Sequence, residues 1–432
     1  MLLRFEVGNY RSIKDRAVLD FRASNDTEHL ETNVFESDGQ KVLRSIGLYG
    51  PNGSGKSNVI RALDFMRTFV YFSVIAQTEE RIEAEPFLLT RENEASPSFF
   101  EIEFLSGETR YRYGFEANQK EILTEWLFSA TSSREAELFT RERGLITCNA
   151  ERFKEGKELI ERTRPNALFL TVCAQFNGDI SNELMGLFRG MRYFTGAGMA
   201  RHIVQNTARR LMEEDFRTQA LAMLAAVDFP IRNIRVEVPA ADTTDSTPSV
   251  LQRVPPPGTI KTTHRTYSDK NEAIGEREFN LLQSESGGTV RFIGMLAPLI
   301  DGLRAGAMVM VDELDARLHP LMTRFVVKLF NSAANTKNAQ LLFATHDVNL
   351  LSNKFFRRDQ IWFTEKDEFE ATHLYSLADY RLEGEKVRKD ASFAKDYLLG
   401  KFGAVPFIAD FMLAPDPADE TKNNEGDEVP DA

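Results

Sequence analysis

Ser45-Ile46-Gly47-Leu48-Tyr49-Gly50-Pro51-Asn52-Gly53-Ser54-Gly55-Lys56-Ser57-Asn58 decides the fold. A short apolar run leads straight into three spaced glycines, and Val59, Ile60, Leu63 and Met66 then recur at helical spacing to about Phe69. Strand, glycine loop, helix is the order of a P-loop. Its glycines let successive backbone N–H groups converge, and the helix N-terminus adds partial positive charge, so the loop can cradle phosphates. In that pattern Lys56 reaches the β and γ phosphates and the Ser57 hydroxyl ligates Mg²⁺. The phosphate-binding set read from this stretch is Asn52, Gly53, Ser54, Gly55, Lys56, Ser57 and Asn58.

A P-loop needs acids to complete it. Ala307 to Val311 is an apolar run of buried-strand type that ends in Asp312-Glu313. The first acid sits where it can hold Mg²⁺ through water beside Ser57, and the second where it can polarise an attacking water. Alone, such a pair is as often a helix cap. Ser284-Glu285-Ser286-Gly287-Gly288-Thr289 precedes a helix, so the Ser286 hydroxyl and the N–H groups of Gly287 and Gly288 can meet a phosphate at a helix N-terminus. Thr345-His346-Asp347 follows a further apolar strand, which puts His346 in reach of a γ-phosphate. Singly, these two are a plain turn and a structural histidine; their order along the chain is what gives them weight. Glu313 and His346 are the candidate catalytic residues, and Ser57 and Asp312 the candidate metal ligands.

Around these motifs, Leu3, Phe5 and Val7 alternate, Asn9-Tyr10-Arg11-Ser12 turns the chain, and Ala17 to Phe21 suggests the second strand of a hairpin. Phe100, Ile102, Phe104 and Tyr111, Tyr113, Phe115 flank Ser106-Gly107-Glu108 as another hairpin, with strands expected at Ile122 to Phe128 and Leu138 to Arg141. From Glu151 to about Val227 the pattern is helical, and Thr243 to Gly258 is a proline-rich loop. A helix from Val290 to about Leu303, another at Leu321 to Ala333 and strands at Gln340 to Thr345 and Gln360 to Thr364 complete an α/β pattern with parallel members. The expected plan is a nucleotide-binding core at 1–75 and 280–411, an antiparallel β lobe at 76–150, a largely helical insertion at 151–279 and a tail at 412–432.

Composition narrows the function class. No apolar run approaches the roughly 18 residues of a membrane span, and the N-terminus lacks signal-peptide form, so the expected compartment is the cytoplasm with no membrane partner. Cys148 and Cys173 have neither a close partner nor zinc-site spacing. Half of the formal charge of -12 lies in Leu413 to Ala432, an acidic stretch with little to bury, expected to be disordered. Arg189, Arg192, Arg201, Arg209, Arg210 and Arg217 give the helical region a basic tendency that could meet DNA, but Glu213, Glu214 and Asp215 interrupt it, and a solvated face is the favoured reading.

P-loop, Ser-Gly-Gly, Asp-Glu at a strand end, then His after the next strand is the order found in ABC-type ATPases, whose head is a mixed parallel sheet with helices and an antiparallel β lobe. The Asn9-Tyr10-Arg11-Ser12 opening resembles the RecF, SMC and OLD group, which implies that Arg11 lies near the nucleotide. Glu285 to Thr289, Val311 to Pro320, Asp359-Gln360-Ile361-Trp362-Phe363 and Tyr397 to Phe407 resemble RloA and AbiL-type ATPases of bacterial anti-phage loci. The resemblance implies ATP and Mg²⁺ as ligands, an ATP-dependent head-to-tail homodimer, and a separately encoded effector. A RecF-like DNA-repair ATPase and a nucleotide-gated scaffold with little turnover are the alternatives. His319 stands where transporter relatives carry Asp, Gln77 is a candidate Mg²⁺-sensing glutamine, and the roughly 90 residues after His346 leave little room for an appended nuclease domain.

Overall fold

The computed structural model describes residues 1–75, 80–131, 134–195, 200–238, 258–382 and 384–406. Gln77, the prolines 255–257, Phe407 and the acidic tail lie outside the described residues, as does the Arg201 side chain.

The central sheet runs Arg192–Thr195, Met308–Asp312, Gln340–Ala344, Ser45–Tyr49, Ile361–Lys366, Thr372–Ser376. Its first five strands are parallel and the last is antiparallel. The strands Ser45–Tyr49, Met308–Asp312 and Gln340–Ala344 are buried at every position, which is why they read as unbroken apolar runs rather than as alternation. Parallel neighbours need a crossover, and Pro320–Phe330 supplies the one between Met308–Asp312 and Gln340–Ala344. Pro320 opens that helix, and the His319 side chain caps it by accepting from Leu321 N.

A second sheet of seven antiparallel strands lies beside it, ordered Leu145–Cys148, Ala136–Glu142, Ile122–Ala130, Thr109–Ala117, Ser98–Ser106, Leu2–Gly8, Ala17–Asp20. Both expected hairpins are present, with Phe5 opposite Leu19 and Ile102 opposite Tyr113. The helix Lys56–Phe72 fills the space between the sheets. Its Val59, Ile60, Leu63, Met66 and Val70 share one core with Phe5 and Phe100 of the antiparallel sheet and Met310 and Leu342 of the parallel one. Each such buried side chain contributes about 1.5–3 kcal/mol, so this helix is fixed from two sides. The helices Gly287–Ala305 and Pro320–Phe330 cover the other face of the parallel sheet.

Between Glu151 and Asn280 the chain holds more than helices. Phe169–Gln175, Asp179–Gly190, Ala200–Leu211 and Glu214–Ala226 are helical, but Arg192–Thr195 is the edge strand of the central sheet. A three-stranded antiparallel sheet follows, Asn233–Glu237, Thr259–Tyr267 and Ala273–Asn280. The outer strand is exposed along most of its length, so it carries no apolar alternation to read. Of the basic residues in this region, Arg210 is clamped on Asp301, and Arg192 donates to the carbonyls of Arg189 and Gly190.

Candidate phosphate-binding site

Strands that run parallel end together, and the crevice at their C-terminal edge is where such sheets take ligands. Here Ser45–Tyr49 delivers the glycine loop and Met308–Asp312 delivers the acids, while the strand between them, Gln340–Ala344, delivers Thr345 and His346. Together they enclose a cleft of about 210 Å³ lined by residues 52–58, Asp312, Glu313, Ala344, Thr345 and His346. Ser57 Oγ donates to Asp312 Oδ1 at 2.9 Å, which joins the two halves of the motif across 255 residues of chain.

The loop itself is built on conformations that side chains resist. Gly53 and Gly55 have φ of 77° and 106°, and a Cβ on Gly55 would overlap the Thr372 side chain. Lys56 Nζ donates to the carbonyls of Gly50 and Pro51, at 2.8 and 2.9 Å. Burial pulls its pKa down to about 8 against the opposing pull of Asp312, Asp315 and Glu313. A buried ammonium whose partners are neutral carbonyls is primed to accept an anion.

The catalytic candidates occupy constrained backbone. Glu313 has φ 55°, a left-handed conformation uncommon outside glycine, and its carbonyl accepts from Arg291 Nη2. The Arg291 guanidinium lies 5.2 Å from the Phe194 ring centroid, and burial lowers its pKa. Asp315 Oδ1 accepts from Thr345 Oγ1 at 2.7 Å and from His346 N at 3.2 Å, so it fixes the histidine turn. The pKa of His346 lies below its ordinary value through burial and then the charge of Lys56, which leaves the imidazole neutral near pH 7.

Contacts from outside the glycine loop and the acid pair also shape this cleft. Asn58 Nδ2 donates to Ser12 Oγ at 2.6 Å, while Thr372 Oγ1 contacts Ser12 Oγ at 2.8 Å and donates to Ser54 O at 3.0 Å. The N-terminal turn is thereby tied to the glycine loop. Arg11 points elsewhere: its guanidinium pairs with Glu85 at 3.1 Å and lines a neighbouring cleft that shares Asn58. Ser286, Gly287 and Gly288 do not line the cleft of their own chain. Ser286 Oγ caps its helix by accepting from Thr289 N at 3.1 Å, and the turn rests on Arg317. The preceding Glu285 accepts from Thr262 Oγ1 at 2.5 Å and contacts His264 Nε2 at 2.7 Å, so the three-stranded sheet braces the turn. Ser12 and Asp315 lie inside quoted motifs and were within reach of the sequence; Arg291, Thr372 and His264 needed tertiary contacts to be found.

A glycine loop whose buried lysine faces only carbonyls, a Ser–Asp pair brought together from two strands that flank a third, and a histidine on that third strand's end define a nucleotide-binding ATPase head of the P-loop class. The chain belongs to the family described as "AAA domain, putative AbiEii toxin, Type IV TA system", which matches residues 45–176 and 199–352, more than half of its length. Among solved structures it is similar to the SMC head domain from Thermotoga maritima, at 13% identity over 87% of this chain and 98% of that one, with a TM-score of 0.40. It is also similar to an Smc head bound to the C-winged helix domain of ScpA, at 13% identity over 87% and 97%, with a TM-score of 0.42. No curated protein matches it. Among the described residues, no helix is long and apolar enough to cross a membrane.

Proposed function

We propose that the chain binds ATP with Mg²⁺ and hydrolyses it in a head-to-tail dimer, in which the Ser286 turn of each copy closes over the nucleotide of the other. The observation that carries the reading is the Ser57–Asp312 contact beside Lys56, a ready seat for a metal–phosphate pair. Mg²⁺ bound there would neutralise phosphate charge. Lys56 moves from the loop carbonyls to the β and γ phosphates, and Glu313 accepts a proton from the attacking water. Neutral His346 offers a hydrogen bond to the γ-phosphate without adding charge. The dimer is supported by the place of Ser286, a helix N-terminus outside its own cleft. We further infer, from the motif resemblance, a cytoplasmic role in anti-phage defence through a separately encoded effector.

Glu313→Gln should retain ATP affinity and lose turnover by about 10²–10⁴-fold, because an amide cannot take the proton. Wild-type turnover in that variant would transfer the role to another base. Lys56→Ala and Ser286→Arg should each be inactive alone. Mixed, they form a heterodimer with one doubly damaged site and one intact site. Recovered ATPase activity is the expected result; its absence, with heterodimers verified by differential tags, would overturn the composite site.

A further inference from the structure

A second cavity, of about 120 Å³, lies between the helix Pro320–Phe330, the loop at Leu350–Phe355 and the segment around His29, and shares no lining residue with the phosphate cleft. Arg324, Lys328 and Lys354 line it, and no Asp or Glu does. The chain has 65 acids against 53 lysines and arginines, yet none of these three cations is paired with a carboxylate among the described residues. Two of the lining residues, Arg324 and Asn331, hold donors with spare capacity. Arg324 Nε and Asn331 Nδ2 are buried without a hydrogen-bond partner, and Asn331 Oδ1 is already occupied by Ser45 Oγ at 2.9 Å. His29 Nε2 donates to the Asn353 carbonyl at 2.7 Å, so that N–H is already used.

Two of the three cations are also held in place. Arg324 donates through Nη2 to Asn349 O at 3.2 Å, and its guanidinium lies 5.0 Å from the Phe355 ring centroid. Lys328 Nζ lies 5.8 Å from the same centroid. Three like charges around one small cavity repel each other, and a buried N–H group left without an acceptor is unfavourable. A compact oxyanion removes both penalties at once, since it accepts several hydrogen bonds and neutralises the charge. We propose that this cavity is a binding site for a single phosphate group, either free phosphate or a terminal phosphate monoester; it is too small to follow a nucleic-acid backbone.

The test titrates inorganic phosphate by calorimetry into full-length Lys56→Ala protein, in which the glycine loop has lost its lysine. The expected result is one site per chain whose affinity falls by about tenfold or more when Lys328→Gln and Lys354→Gln are added, because two charged contacts are removed. Both lysines are exposed, so melting temperature should hold, and Lys328→Arg with Lys354→Arg should retain binding. A 5′-phosphorylated and a 5′-hydroxyl dinucleotide separate the sources: binding of the first alone assigns a chain-end phosphate, and binding of neither beside inorganic phosphate assigns the free ion. No phosphate binding in Lys56→Ala protein, or binding indifferent to both lysine substitutions, overturns the site.

Discussion

Two glycine-rich turns open helices in this molecule, and they use glycine for different reasons. In the loop before Lys56–Phe72, Gly53 and Gly55 are required for their backbone angles, at φ 77° and 106°. In the turn before Gly287–Ala305, Gly287 and Gly288 are already helical, and what they supply is clearance. A Cβ on Gly288 would lie 2.8 Å from Arg317 O, and one on Gly287 would lie 3.2 Å from Arg317 Nη1, the far end of a flexible side chain. The first turn is shaped for a ligand in its own cleft. The second is fitted to its own scaffold, with its serine oxygen accepting as a helix cap and no part of it in its own chain's cleft. Composition alone makes them look equivalent; conformation separates them.

The sharpest way to break this contrast is Gly55→Ala. It combines a left-handed backbone, costing about 1–2 kcal/mol, with overlap on Thr372, costing about 1–3 kcal/mol. Nucleotide binding should be lost, and thermal melting should fall by several degrees. An unchanged melting curve with intact binding would show that the loop does not need this angle.

Proton linkage sharpens it next. With Lys56 pulled down to about 8, its charge is present below that pH and lost above it. A bound phosphate favours the charged form, so nucleotide affinity should be full below about pH 8 and then fall up to tenfold per unit as pH rises. The Ser286 turn has no titrating side chain facing a phosphate and predicts no such slope. Fluorescent-nucleotide titration from pH 7 to 9.5 checks it, and a flat profile would remove Lys56 from the binding step.

The smallest effects belong to the second turn. Gly288→Ala pushes on the Arg317 backbone and should cost about 1 kcal/mol after the gain in helix propensity. Gly287→Ala should be neutral or stabilising by about 0.4–1 kcal/mol, because its backbone is compatible and its neighbour can move. Chemical denaturation of both variants checks the pair; a larger loss at Gly287 than at Gly288 would reverse the argument from clearance.

Much of this was legible in the sequence because the signals were local. Strand, glycine loop and helix lie within about 30 consecutive residues, the two hairpins are contiguous, and Asp312-Glu313 announces itself at the end of an apolar strand. The strand Arg192–Thr195 was hidden because its four residues sit between helices and pair with Val309 to Asp312, far along the chain. The strands at 259–267 and 273–280 were hidden because exposed, charged positions such as Glu276, Arg277 and Glu278 give a sheet no hydrophobic period. The turn that carries Arg11 is tied to the loop through Ser12, while the Arg11 side chain is held by Glu85, a partner from residue 85 that no local pattern announces.

The place of the strand Ser45–Tyr49 has a consequence for how the protein is made. Both of its neighbours in the sheet, Gln340–Ala344 and Ile361–Lys366, come from the last third of the chain. On a ribosome adding about 5–20 residues per second, the glycine loop therefore waits about 15 to 60 seconds before the first of them exists. During that interval the antiparallel sheet can close on itself, but the apolar strand ahead of the loop has no sheet to join and must be kept from pairing with other chains. Nucleotide competence then arrives only once these late strands have been made, so a chain cut short before Ala344 should behave as a dependent of chaperones rather than as a weak enzyme.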